Sequence, residues 1–171
     1  MKKINLKMIL CGVAAVFGFI AAMMLFAPAI TPKAGGESIS GSEIAFGKEA
    51  LMGMGMGVSA YMLPLFLALI GVVCVAVSAF GKGGKAVTIV AAVAFVGAAI
   101  CYFLPFQMAT VDFGEAGDLL TSDQKSEATK AFRDSLKEAG KLGAGAIVGG
   151  IFAIIAAVAS VVPMFVCKEN N

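Results

Sequence analysis

The chain has no histidine and no tryptophan among 171 residues, and its first conspicuous scarcity is charge. Residues 8–32, 50–81, 86–111 and 142–167 carry no formal charge at all. Without histidine, imidazole acid–base chemistry and histidine metal ligation are excluded. Without Asp, Glu, His, Lys or Arg in the apolar stretches, the chain lacks what proton- or ion-coupled pumps use at membrane depth. A rotor-type proteolipid and a small multidrug antiporter are disfavoured on the same ground. No GxxxxGK[ST], HExxH or nucleophile-elbow pattern occurs. The expectation is a protein that is not an enzyme and has no cofactor. A net charge of +2, scattered along the chain, gives no footprint for nucleic acid.

Cysteine is scarce in a second sense. Cys11, Cys74, Cys101 and Cys167 all fall inside the uncharged stretches, none forms a CxxC pair, and the polar connections hold none. They read as small buried hydrophobes rather than a disulfide framework.

What the chain does contain is apolar: 60% hydrophobic against 14% charged, where soluble domains carry about 25% charged residues. Each of the four stretches exceeds the roughly 20 residues that a helix needs to cross hydrocarbon. The fold class expected is an all-α integral membrane protein, a four-transmembrane-helix bundle spanning residues 1–171 as one domain, with the lipid bilayer as its first partner. Met8–Phe26 is 19 apolar residues, longer than the roughly 7–15 of a signal core. It reads as a retained first span, although Ala27-Pro28-Ala29 offers small residues of the kind a signal peptidase cleaves. Leu10-Cys11 lies too near the start for a lipid-attachment signal.

Lysine and arginine gather on the cytoplasmic side of short connections. Lys2, Lys3 and Lys7 precede the first span, Lys82 and Lys85 sit in the turn 81–85, and Lys168 follows the fourth span. The expected location is the cell membrane, with both termini cytoplasmic and the loops 31–57 and 109–142 extracytoplasmic. Ten of the eleven acids then lie outside.

Residues 34–42, rich in Gly and Ser, read as irregular backbone. Residues 121–139 read as an outer amphipathic helix. Thr121 with Gln124 fits a capping box, and Ala128, Phe132, Leu136 and Ala139 fall on one face. Lys130 and Asp134 form an i,i+4 pair. Phe132 and Leu136 are the candidate interaction residues, on a helix that lies on, or leads into, the fourth span through Gly140 and Gly143.

Residues 13–28 and 90–105 align without a gap, with eight of sixteen positions identical. Leu65 onward matches Ile151 onward more loosely. The chain therefore parses as two helical hairpins, 1–85 and 86–171, the second carrying the outer helix. Small residues at four-residue spacing mark helix-packing faces. These are Gly145, Gly149, Ala153 and Ala157 in the fourth span, Ala14, Gly18 and Ala22 in the first, and Gly53 and Gly57. Pro28, Pro64 and Pro105 cluster near the outer ends, either as helix ends or as bends splaying a vestibule.

Met52, Met54 and Met56 alternate with glycine in MGMGMG, and Met62 follows. Thioethers are soft donors suited to Cu(I), and these four are the candidate metal ligands. The pattern resembles the methionine motifs of copper-uptake channels, nearby GxxxG included, although that family has three spans. Four spans, internal termini and two outer loops also resemble the plan of animal tetraspan junction proteins, without their tryptophan and paired loop cysteines.

Two functions fit. The first is a scaffold, adhesion protein or accessory subunit, held by intramembrane small-residue packing and outward loops, as a homo-oligomer or within a larger membrane complex. The second is an oligomeric passive channel or uptake pore, for Cu(I) if the outer methionines bind it.

Overall fold

A computed structural model describes residues 6–47, 55–57, 59–80, 84–113 and 119–166. Along the chain, α1 (Leu6–Met23) ends in a 3-10 turn (Met24–Phe26), followed by β1 (Pro28–Pro32), β2 (Ile39–Ser40), α2 (Gly41–Phe46) and β3 (Gly55–Gly57). A second 3-10 turn (Ala60–Met62) leads into α3 (Leu63–Ala79), and α4 (Gly84–Tyr102) follows. Next come α5 (Pro105–Met108), β4 (Thr110–Asp112), α6 (Ser122–Ala139), β5 (Gly140–Leu142) and α7 (Ala144–Val166). Four helical segments are long and apolar enough to cross a membrane: Leu6–Phe26, Ala60–Ala79, Gly84–Tyr102 and Ala144–Phe165.

These elements form two compact units. One, the helical unit, takes Met1–Met23, Pro64–Ile100 and Val148–Asn171; the other, the mixed unit, takes Met24–Leu63 and Cys101–Ile147. In the helical unit the small residues turn inward. Ala14, Gly18, Ala91, Ala153, Ala156 and Ala157 are buried. Phe95, fully buried, lies over Gly18 and Gly71: a Cβ at either glycine would stand 2.5 or 2.6 Å from its ring. Phe17 and Phe152 pack with ring centroids 5.3 Å apart. Large aliphatic and aromatic residues face outward, among them Val16, Phe19, Phe66, Val73, Val93 and Val158, as lipid contact favours. In hydrocarbon, helices associate by close packing of small residues rather than by hydrophobic expulsion, which explains this inversion of the usual size order. The buried hydroxyls are bonded in place. Ser78 and Thr88 share a hydrogen bond of 3.0 Å, and Ser160 donates to the Ala157 carbonyl at 2.7 Å.

The protein is predominantly helical, as the all-α expectation has it, but the mixed unit adds short strands. This unit contains a three-stranded antiparallel sheet in the order β2-β1-β5, and an antiparallel pair β3-β4. Ile30 stands opposite Leu142, and Met56 opposite Val111. The apolar stretches outrun the spans: Ala29, Ile30 and Ala109 are buried in this unit. Burial in a protein core and burial in lipid both select apolar residues, so composition alone does not separate them.

Two further local expectations are revised, and of the two readings of the prolines the helix-end one fits Pro64 and Pro105. Of residues 34–42, residues 34–38 are irregular but 39–42 are not: Ser40 caps α2, donating its N–H to the Glu43 carboxylate at 2.7 Å while its Oγ accepts from the Glu43 N–H. The motif Ser-x-x-Glu before an apolar run was the available signal. Gly84 and Lys85, assigned to the connecting turn from sequence, belong to α4. Pro28 opens a strand, Pro64 lies in the first turn of α3 and Pro105 in the first turn of α5, positions where a missing N–H costs no ladder bond.

Candidate functional site on the mixed unit

The most exposed ordered element is α6, which has no buried residue along its 18 positions. Its ends are tied. At the N-terminus, Thr121 Oγ1 accepts from the Gln124 N–H, while Gln124 Oε1 accepts from the Thr121 N–H at 2.9 Å. At the C-terminus all four terminal carbonyls, the groups a helix leaves unpaired, have donors. Gly140 N–H reaches the Leu136 carbonyl. Lys33 supplies the rest: its Nζ donates to the Lys137 and Glu138 carbonyls at 3.2 and 2.8 Å, and its main-chain N–H to Ala139 at 2.8 Å. A lysine ammonium here also opposes the negative end of the helix dipole.

Lys125, Ala128, Thr129, Phe132, Arg133 and Leu136 are half-buried on one side of the helix, which packs on α5, β4 and β5. Ala139, assigned to the apolar face from spacing, is exposed instead; the chain leaves helical geometry at Gly140, and this glycine is the buried residue. Arg133 was missed by a search for apolar periodicity, yet its Nε–H donates to the Ala109 carbonyl at 2.8 Å, locking α6 to the end of α5. The opposite face carries Asp123, Glu127, Lys130, Asp134, Lys137 and Glu138, all exposed. Asp134 pairs with Lys137 at 3.3 Å. This face thus presents charges of both signs to the surroundings.

Beneath the sheet strands, close backbone approaches fix the joint into α7. A Cβ at Gly143 would strike the Pro28 carbonyl oxygen, and one at Gly145 would lie 2.8 Å from Ala27. Gly145, a helix-groove residue by its spacing, is buried against Ala27 in the bend between the 3-10 turn and β1. Gly149, Ala153 and Ala157 are buried along α7, and Ala14, Gly18 and Ala22 along α1. Gly57 lies in β3, where side chains alternate, so a helical Gly53–Gly57 face is not formed there. Gly53 lies outside the described residues, as do Met52, Met54, Cys167 and the topology lysines Lys2, Lys3, Lys82 and Lys168.

Of the methionines, Met56 is in β3 and Met62 is half-buried in the turn before α3. Among the described residues no group of three or more His, Cys, Asp or Glu side chains gathers to hold a metal. Comparison with family models, curated proteins and solved structures yields no match.

Proposed function

We propose that the protein is a non-enzymatic, multi-pass scaffold or accessory subunit of the cell membrane, in which the mixed unit lies on the extracytoplasmic side and α6 is the partner-binding element. The observation that carries this reading is the contrast between the two units. In the helical unit the small-residue faces and the buried hydroxyls Ser78, Thr88 and Ser160 are occupied within the same chain, and the outward faces are large and apolar. Such a surface suits lipid better than a water path or a close-packed ring of copies. In the mixed unit, an 18-residue helix is held at both ends and exposes an unburied charged face. Rigid presentation of a polar face reduces the ordering cost of association. The candidate Cu(I) ligands Met52 and Met54 of the second reading lie outside the described residues.

The test is crosslinking in native membranes followed by tagged purification, comparing the unaltered chain with Glu127→Ala/Lys130→Ala/Glu138→Ala. These three side chains are exposed, so insertion and melting are expected to be unchanged. A specific co-purifying membrane protein that is lost in the variant supports the reading. Equal recovery of every crosslinked species by both proteins rejects α6 as the binding element.

A further inference from the structure

The two hairpins match in three dimensions more closely than their sequences suggest. Residues 8–27 and 85–104 align at a constant offset, and nineteen of the twenty pairs agree in being buried, half-buried or exposed. Cys11, Ala14, Gly18, Ala21, Ala22 and Leu25 are buried in the first. Thr88, Ala91, Phe95, Ala98, Ala99 and Tyr102 are their buried counterparts. In the second spans the agreement covers the buried residues of α3, while α7 also buries Gly149, Ala156 and Ala159. Pro64, Ala68, Gly71, Val75 and Ser78 are buried in α3, and Ala146, Gly150, Ala153, Ala157 and Ser160 in α7. This pairing sits four residues from the sequence register of Leu65 with Ile151. Four residues are about one helical turn, so both registers align the same face and sequence alone does not choose between them.

An independent relation appears in the mixed unit. Each hairpin contributes a strand after its first span (β1 and β4) and a strand before its second (β3 and β5), with a capped helix between them. The pairings are crossed. β1 of the first hairpin pairs antiparallel with β5 of the second, and β4 of the second pairs antiparallel with β3 of the first. Reciprocal exchange of this kind is the mark of an isologous interface, where the same surface is used twice.

We infer that the protein is two versions of one membrane hairpin joined in tandem, and that the surface each presents to the other is the dimerisation surface of that hairpin. Gly18 and Phe95 occupy equivalent positions and touch one another, which places them where a two-fold relation within the helical unit maps each hairpin onto its neighbour. One hairpin supplies the ring and the other the space. The halves differ most between their strands, where α2 has 6 residues and α6 has 18.

The inference does not depend on the function proposed above, and a transposition tests it. Gly18→Phe alone forces a second ring against Phe95 and lowers thermal stability, and Phe95→Gly alone leaves a void and lowers it too. The variant Gly18→Phe/Phe95→Gly/Ala153→Gly moves the ring to the equivalent site and gives it the glycine that Gly71 provides to Phe95. Equivalent halves predict that this triple variant recovers most of the melting temperature lost by Gly18→Phe, a coupled rather than additive outcome. A triple variant no more stable than the sum of its parts overturns the inference. A second measurement is independent of that core. In a cysteine-free background, Ile30→Cys/Leu142→Cys and Met56→Cys/Val111→Cys are oxidised in the full chain, which is then cut at a protease site inserted within 81–83. Both pairs must hold the two fragments together on a non-reducing gel; one pair without the other overturns the reciprocal exchange.

Discussion

Ser59 joins three hydrogen bonds at one buried point. Its Oγ donates to the Ile44 carbonyl at 2.6 Å and accepts from the Tyr61 N–H at 3.2 Å, while its own N–H donates to the Ala45 carbonyl at 3.1 Å. The residue thus closes the C-terminal end of α2 and opens the turn into α3. Ser59→Ala leaves a buried carbonyl and a buried N–H without their side-chain partner, an expected loss of about 1–3 kcal/mol. Thermal unfolding of the purified protein in detergent reads this directly; an unchanged melting temperature would mean that water takes over both bonds. Nothing in the sequence around Ser59 distinguishes it from Ser78 or Ser160, because its role depends on α2 reaching it from fifteen residues away. Gly18 and Gly143 illustrate the same point. Both sit at small-residue positions, yet one accommodates an aromatic ring and the other a backbone carbonyl.

At the scale of elements, the long helix α6 depends on its contacts more than on its own apolar face, which is only half-buried. Lys33 reaches it from beyond the end of β1 and satisfies three of its last four carbonyls. Two of those bonds come from the side chain, so Lys33→Ala is expected to fray the final turn without unfolding the sheet. Hydrogen exchange of amides in 134–140 should accelerate by about 3–10-fold, since the side-chain bonds are solvent-accessible and contribute roughly 1 kcal/mol together. Exchange at the N-terminal turn, held by Thr121 and Gln124, should stay unchanged. Equal exchange in both proteins would assign the stability of that end to strand pairing alone. The capping boxes of α2 and α6 were both written in the sequence as Ser-x-x-Glu and Thr-x-x-Gln. The one at Ser40 was obscured by the glycine and serine around it, whose usual meaning is a loop.

At the scale of the whole molecule, lysine placement predicts which side of the membrane each connection faces. Single cysteines at Lys130 and Lys85, introduced separately into a cysteine-free chain, provide the check. An impermeant maleimide applied to intact cells should label Lys130→Cys and spare Lys85→Cys; the reverse pattern would invert the topology. Both positions are exposed in the structure, so labelling reports sidedness rather than burial.

The sequence by itself determined that four segments are suited to hydrocarbon, because a run of about 20 uncharged residues has few other stable environments. It also determined which residues are small enough for helices to meet, and that a capped amphipathic helix starts near Thr121. Where each span stops was decided only by tertiary structure. Ala29, Ile30 and Ala109 are apolar whether they face lipid or a protein core, and only the strands and turns around them make the core that takes them. The crossed strand pairs were likewise beyond reach of pattern, since β1 and β5 are short and far apart in the chain, with no alternation long enough to reveal them. A strand of three residues becomes stable only once its partner is delivered, and here β5 meets β1 and β4 meets β3 across long stretches of chain.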